Sequence, residues 1–344
     1  MSKKPATSQD VAKLAGVSRT TVSFVLNDVK SIQISGDTRQ KVLKAAEELK
    51  YVPNAAAQAL ASQRAKIIGL ILTRSPHHIA TDAFITQIVN GLLGVIHQHD
   101  MRLLFDIIEP EHQRKAYLHM ARAKRIDGIL LSGPRSDDDA LKILGEEGFP
   151  TVLIGQLPGT GFCSVDVDNR AAAKNAVTHL VNLGHDRIAC ITNAQPSYTA
   201  AADRLAGYKN ALDEAGLYFD ESLVRYGDFD VESGYTQMYN LLEGGMSFTS
   251  AFVASDTVAL GAKAAIRDHG LNIPRDIALV GFDDLPFSQY AEPPLTTVHL
   301  PVVELAQQGC NMLIQILQNN HPPNQQTILG TKLVIRKSCG ANQL

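Results

Sequence analysis

The sequence predicts an α/β two-lobed core, built from two doubly wound parallel sheets, behind an N-terminal all-α helix-turn-helix domain. Three observations carry that prediction. Residues 7–27, TSQDVAKLAGVSRTTVSFVLN, hold two helix starts separated by one glycine turn. From Ile67 onward, short apolar runs alternate with amphipathic stretches, the pattern of parallel strands covered by helices on both faces. Charge is split as well. Residues 1–64 carry ten Lys/Arg against five Asp/Glu, a net of +5, whereas the other 280 carry 22 against 30, a net of −8. The whole-chain charge of −3 thus hides a basic head on an acidic body, as expected when one end alone meets phosphate.

Taken in order, Thr7 can cap the first helix, with Asp10 near its positive N-terminus. Val11, Leu14 and Ala15 are expected on one apolar face. Gly16 ends the helix, because a residue without a Cβ enters the left-handed region at no steric cost. Ser18 caps the second helix, which Val22, Val25 and Leu26 pack back onto the first. Its outward residues, Arg19, Thr20, Ser23 and Phe24, would face the floor of a major groove. An ordinary helical hairpin would share the turn but not the charge split. A third helix is expected over 35–50, capped by Ser35, with Val42, Ala45, Ala46 and Leu49 at helical spacing. Residues 51–62, YVPNAAAQALAS, read either as a plain linker or as a hinge that is helical only on DNA. Pro53 stops the preceding helix, and the alanines favour a new one too short to stand alone.

In the core, the runs 67–72, 103–107, 128–131, 151–154, 188–191, 251–254 and 277–281 are predicted strands. Stretches such as 84–97, 169–183 and 203–215 are predicted helices. Seven strands suit two doubly wound lobes better than one sheet, with a ligand cleft at the carboxyl ends of the strands.

Composition narrows the class. Hydrophobic content of 45% and charged content of 19% are ordinary for a globular protein. No apolar run approaches the roughly 18–20 residues of a membrane span. The lysines at the N-terminus precede no apolar stretch, so no secretory signal is expected. Cys163, Cys190, Cys310 and Cys339 are widely spaced without a CxxC pair, which predicts a reduced, cytoplasmic protein with buried thiols. His77–His78 and His97–His99 lack the i, i+4 spacing and cysteine partners of a strong site, so neither a metal nor a cofactor is expected. No GxxxxGK[ST], GxSxG or HExxH occurs, and no GxGxxG follows the first core strand. Asp283 and Asp284 are adjacent rather than opposed across a cleft, so catalysis is not expected.

The segments DVAKLAGVSRTTVSFVLN, YVPNAAAQALAS, VDVDN (165–169), NLGHDRIA (182–189), DRLAGYKNAL (203–212), ASD (254–256), VGFDD (280–284) and PPLTTV (293–298) occur in a telling order and spacing. Through them essentially the whole chain resembles the LacI/GalR family of bacterial transcriptional regulators. The resemblance implies a helix-turn-helix head at 1–50, a hinge at 51–65 and a core like a periplasmic sugar-binding protein at 66–340. The implied N-lobe is 66–165 with 301–328, and the C-lobe 166–300 with 329–340.

The same resemblance implies site residues. Base reading falls on Arg19, Thr20 and Phe24. Arg19 offers a bidentate fork to guanine, worth roughly 1–3 kcal/mol of discrimination. Thr20 can meet several bases or a thymine methyl. Phe24 stands where many relatives carry arginine, and either touches a thymine methyl or packs at the helix end. Thr7, Ser18, Thr21, Ser23 and Asn27 would serve caps and phosphate contacts. In the hinge Leu60 would be a minor-groove wedge, with Tyr51, Asn54, Ala57 and Gln58 along the groove.

Effector contacts are implied at Asp82, Phe84, Ser132, Arg204, Phe229, Ser255, Asp256 and Asp283. Ser255 replaces an asparagine common in relatives, and Asp82-Ala83-Phe84 replaces the usual Asn-Pro-Phe. Carboxylates with one arginine suit vicinal hydroxyls, and Phe229 suits a sugar ring or base. No leucine heptad follows the core, so a homodimer is expected. The protein so implied binds pseudo-palindromic operator DNA as a repressor of carbohydrate uptake or catabolism genes, under a small sugar-like effector. The other reading is a corepressor-dependent regulator that takes a nucleobase or a phosphorylated protein partner. A secreted sugar-binding protein would lack the basic head, and a nucleoid protein would lack the two-lobed body.

Overall fold

In the computed structural model the described residues are 6–27, 32–54, 58, 64–80, 82–109, 113–245, 247–320, 322 and 325–341. The chain forms two compact units, Met1–Lys66 and Ile67–Leu344.

The first unit holds α1 (Ser8–Ala15), α2 (Arg19–Leu26) and α3 (Gly36–Glu48). Thr7 and Asp10 cap α1 reciprocally: Thr7 N donates to Asp10 Oδ2 at 2.9 Å, and Asp10 N to Thr7 Oγ1 at 3.3 Å. Gly16 closes the helix at φ 67°. Ser18 and Ser35 cap the next two helices by accepting from the amides of Thr21 and Thr38. Val11, Ala12, Val22, Val25, Val42, Ala45 and Ala46 form the core. Leu14 corrects the expected apolar face. It is 48% exposed, because α1 meets its neighbours through Val11, Ala12 and the half-buried Ala15, leaving Leu14 on the flank.

In the second unit β1 (Ile67–Leu72), β2 (Arg102–Ile107), β3 (Gly128–Ser132), β4 (Thr151–Ile154), β5 (Cys163–Val167) and β11 (Gln326–Leu329) make one sheet. Its order is β11-β5-β4-β3-β1-β2 and every pairing is parallel. The other sheet contains β6 (Ile188–Thr192), β7 (Val224–Tyr226), β8 (Ser250–Val253), β9 (Ala278–Asp283), β10 (Thr296–His299) and β12 (Lys332–Val334). Its order is β12-β10-β9-β8-β6-β7, parallel except for β12 against β10. The helices are α4 (Ala83–Gln98), α5 (Gln113–Arg122), α6 (Asp139–Glu146), α7 (Asn169–Asn182), α8 (Thr199–Glu214), α9 (Val231–Glu243), α10 (Asp256–Asp268) and α11 (Val302–Leu317).

The chain passes from one sheet to the other after β5, after β10 and between β11 and β12. Strand order reverses between β1 and β3, and again between β6 and β8. At such points the two flanking connections leave on opposite faces and open a crevice at the strand carboxyl ends.

Cys190, Cys310 and Cys339 are buried free thiols, as expected, whereas Cys163 is only half-buried at the start of β5. Among the described residues no helix is long and apolar enough to cross a membrane.

Candidate effector cavity and nucleic-acid interface

A cavity of about 690 Å³ opens where the carboxyl ends of the two sheets converge. Both reversal points feed it. Arg74 follows β1 and Ser132 ends β3, while Asn193 follows β6 and Ser255 follows β8. Asp166 of β5 and Asp283 at the end of β9 complete its charged lining.

One wall is organised by Asp82. Its Oδ1 accepts from the amide of Phe84 at 3.0 Å and caps α4, while Oδ2 accepts from Arg74 Nη1 at 2.6 Å. Both side chains of that ion pair are buried, so its two charges leave water together and each needs the other. The Arg74 guanidinium also lies 4.2 Å from the centroid of the Phe229 ring. Phe229 meets Tyr198 edge-on at 5.0 Å, so the two rings stand nearly perpendicular and give the cavity an apolar corner.

A second group of lining residues is organised by Arg204 of α8. Its Nε donates to Asn169 Oδ1 at 2.9 Å and its Nη1 to Ala254 O at 2.7 Å. The guanidinium stacks 3.9 Å over the Phe282 ring, and Nη1 lies 3.6 Å from Asp283 Oδ1. Nη2 has no protein acceptor among the described residues. Asn169 in turn donates to Asp166 Oδ1 at 3.1 Å, so one polar chain runs from β5 to β9. Asp283 has φ 117° and Phe229 φ 60°, backbone conformations that non-glycine residues seldom adopt.

Burial sets the electrostatics here. It pushes Asp283 up to about 8, against the opposing pull of Arg204, with Asp256 and Asp82 adding to the rise. Burial also lifts Asp166 to about 6, opposed by the amide of Val167 and by Arg204. It lowers Arg204, which Asp283 counters.

The structure brings Asp82, Phe84, Ser132, Arg204, Phe229, Ser255 and Asp283 to this one cavity. Asp256 is set apart from them, fully buried behind the lining. Its Oδ2 accepts from the amide of Leu285 at 2.9 Å and from Ser288 Oγ at 2.5 Å, and its Oδ1 from Thr297 Oγ1 at 2.6 Å. That carboxylate joins α10 to β10 and to the turn after β9, and no free oxygen faces the cavity. Asp284 is likewise engaged, by Arg336 Nη2 at 2.6 Å and His299 Nδ1 at 3.0 Å.

Five polar lining residues are not among those the sequence implies: Arg74, Asp166, Asn169, Asn193 and Tyr198. Asp166 and Asn169 sat inside the VDVDN segment, where a carboxylate and an amide ending a core strand were the available signal. Nothing local marked the other three, since each reaches the cavity only because its strand or loop ends there.

In the head, Arg19 and Thr20 are exposed on the first turn of α2, and Phe24 is half-buried. Ser18 Oγ and Thr21 Oγ1 are 2.9 Å apart, and Thr7 is occupied by Asp10. Asn27 Nδ2 donates to Ser23 Oγ at 3.1 Å, and Gln58 Nε2 donates to Asn27 Oδ1 at 2.7 Å. Tyr51 packs half-buried against the head core and Asn54 is exposed. Ala57 and Leu60 lie outside the described residues.

Comparison with known proteins agrees with this division. Residues 7–54 match the family described as bacterial regulatory proteins, lacI family, and residues 177–339 match a periplasmic binding protein-like domain. The HTH-type transcriptional regulator CelR of Thermobifida fusca is 34% identical over 334 residues, covering 95% of this chain and 96% of CelR. A solved complex of CelR with cellobiose superposes with a TM-score of 0.74 at 32% identity, covering 97% of this chain and 99% of that one. A lac repressor dimer bound to operator and the anti-inducer ONPF superposes with a TM-score of 0.84 at 32% identity, covering 98% and 99%.

Proposed function

This chain belongs to the LacI family of bacterial transcriptional regulators, and on that premise we propose that it is a homodimeric repressor of carbohydrate genes released or retained by a small sugar-like effector in the interlobe cavity. It is a regulator and not an enzyme. The observation that carries the effector class is the pairing of two kinds of wall. Arg204 and the Asp283 carboxyl, whose nearest atoms stand 3.6 Å apart, supply a donor and an acceptor for neighbouring hydroxyls, and the Phe229 and Tyr198 rings line the same cavity. Arg74 is neutralised by Asp82, and Arg204 faces the carboxyls of Asp166 and Asp283, so the lining has no surplus positive charge to hold a phosphate. A neutral polyhydroxylated ligand suits this better than a sugar phosphate.

The mechanism follows from the lining's two sources. A ligand touching both lobes favours one lobe arrangement, and shifts operator affinity by its differential affinity for the arrangements available. At the DNA end, Arg19 and Thr20 would read base edges while Ser18, Thr21 and Asn27 position α2.

Two measurements test the reading. Titration calorimetry against disaccharides including cellobiose, sugar phosphates and nucleobases should find binding among neutral sugars. Operator binding by the purified dimer should weaken steeply with salt as counterions are released. Binding confined to nucleobases would support the corepressor alternative, and a salt-insensitive monomer on DNA would refute the proposal.

A further inference from the structure

The two lobes also meet outside the cavity lining. His77 and His78 lie in the short turn Pro76–Ala80 after β1, and Asp228 and Asp230 follow β7 in the other lobe. His78 is 1% exposed, yet neither of its ring nitrogens has a hydrogen-bond partner among the described residues. An imidazole is rarely left so, because a buried polar nitrogen without a partner keeps its full desolvation cost. Around it, one donor atom each from His77, His78 and Asp228 lie within 4.8 Å of one another. His78 Nε2 is 3.5 Å from Asp228 Oδ2, too long for a hydrogen bond. It is however a metal-ligand spacing, since donors about 2.0–2.2 Å from zinc at tetrahedral angles stand about 3.3–3.6 Å apart.

We propose that His77, His78 and Asp228 form a site for a zinc-like divalent cation that bridges the two lobes. Two imidazoles with one carboxylate suit a borderline transition metal, whereas calcium and magnesium favour all-oxygen shells. His77 is 62% exposed, so its ring has room to swing onto the ion. Asp230 positions that ring. Its Oδ1 is fixed by accepting from the amide of Ser233 at 2.7 Å, which leaves Oδ2 3.3 Å from His77 Nε2. Water would fill the fourth position. Because the ligands come from both lobes, the cation binds only the arrangement that brings them together and stabilises it.

The test uses the full chain after removal of metals by a chelator. Zinc titration followed by calorimetry should give one site per chain and a higher thermal midpoint, and cobalt should give the visible absorption of a tetrahedral ion. His77→Ala and Asp228→Asn alter exposed side chains and should each weaken zinc binding at least tenfold and abolish the cobalt band. His78→Gln should do the same if it folds, and the pair His97→Ala with His99→Ala should change nothing. No zinc bound by the wild-type chain, or binding that survives His77→Ala and Asp228→Asn, would overturn the proposal.

Discussion

A Cβ placed on Gly281 would lie 2.3 Å from Asp256 Oδ1, so β9 runs directly against the carboxylate that opens α10. The absence of a side chain at Gly281 allows that approach. The carboxylate then collects hydrogen bonds from Leu285, Ser288 and Thr297, and holds the turn from which Asp283 enters the cavity.

Gly281→Ala should therefore destabilise the protein, by about 1–3 kcal/mol, as overpacking forces β9 and α10 apart. Asp256→Asn should cost a similar amount, because the amide adds donors where three donors already converge. Denaturant unfolding checks both, and midpoints equal to wild type would rule out this role.

Loss of either polar anchor in the cavity should weaken effector binding at least tenfold, the effect of about 1.4 kcal/mol. Asp283→Asn is the milder change. Arg204→Ala also strands a buried carboxylate, so its stability must be measured beside its affinity. If the free protein binds its operator, both variants should still bind DNA but ignore the effector. Calorimetric affinities unchanged in both would show that the cavity is assigned wrongly.

Effector binding should depend on pH in a defined direction. Burial holds Asp283 above its ordinary 3.8, at about 8, so the native state keeps a proton that the unfolded chain has released between those values. Its contribution to stability therefore falls as pH rises through that window, and Asp283→Asn should flatten the slope. Effector hydroxyls that donate to Asp283 favour its ionised form, so affinity should rise toward pH 8 with release of protons. Calorimetry in buffers of different ionisation heat reads this, and proton uptake instead would mean that Asp283 acts as a donor.

At the DNA end, Arg19→Ala should relax preference at one symmetric base position at a cost of roughly 1–3 kcal/mol. Leu60→Ala should weaken specific operator binding and spare non-specific binding, which depends on the basic head. Selection of binding sites by the Arg19 variant, and titrations of the Leu60 variant on both DNA types, would settle the two roles. An unchanged consensus refutes the first, and equal losses refute the second.

All seven apolar runs are strands: six are buried along nearly their whole length, where a strand covered on both faces reads as continuous hydrophobicity, whereas β2 is a largely exposed edge strand. The strands that went unread, β5, β7, β10, β11 and β12, lie at or beside the sheet edges. There, sequences such as CSVDV, VRY and KLV are short and half-polar. Helix starts at Thr7, Ser18 and Ser35 were legible because a cap is a contact within three residues. Leu14 was not, since which flank of α1 is covered depends on helices that approach from elsewhere.

By itself, then, the sequence determined the caps, the buried strands, the charge split and the family, all properties encoded in short spacing or in ordered motifs. Tertiary structure alone decided which polar side chains share a cavity. It paired Arg74 with Asp82 and withdrew Asp256 behind the lining. It also set Asp228 beside His78, 150 residues earlier in the chain. The physical reason is strand order. Residues far apart in sequence meet wherever their strands end on the same edge of neighbouring sheets, and that adjacency leaves no periodic trace along the chain.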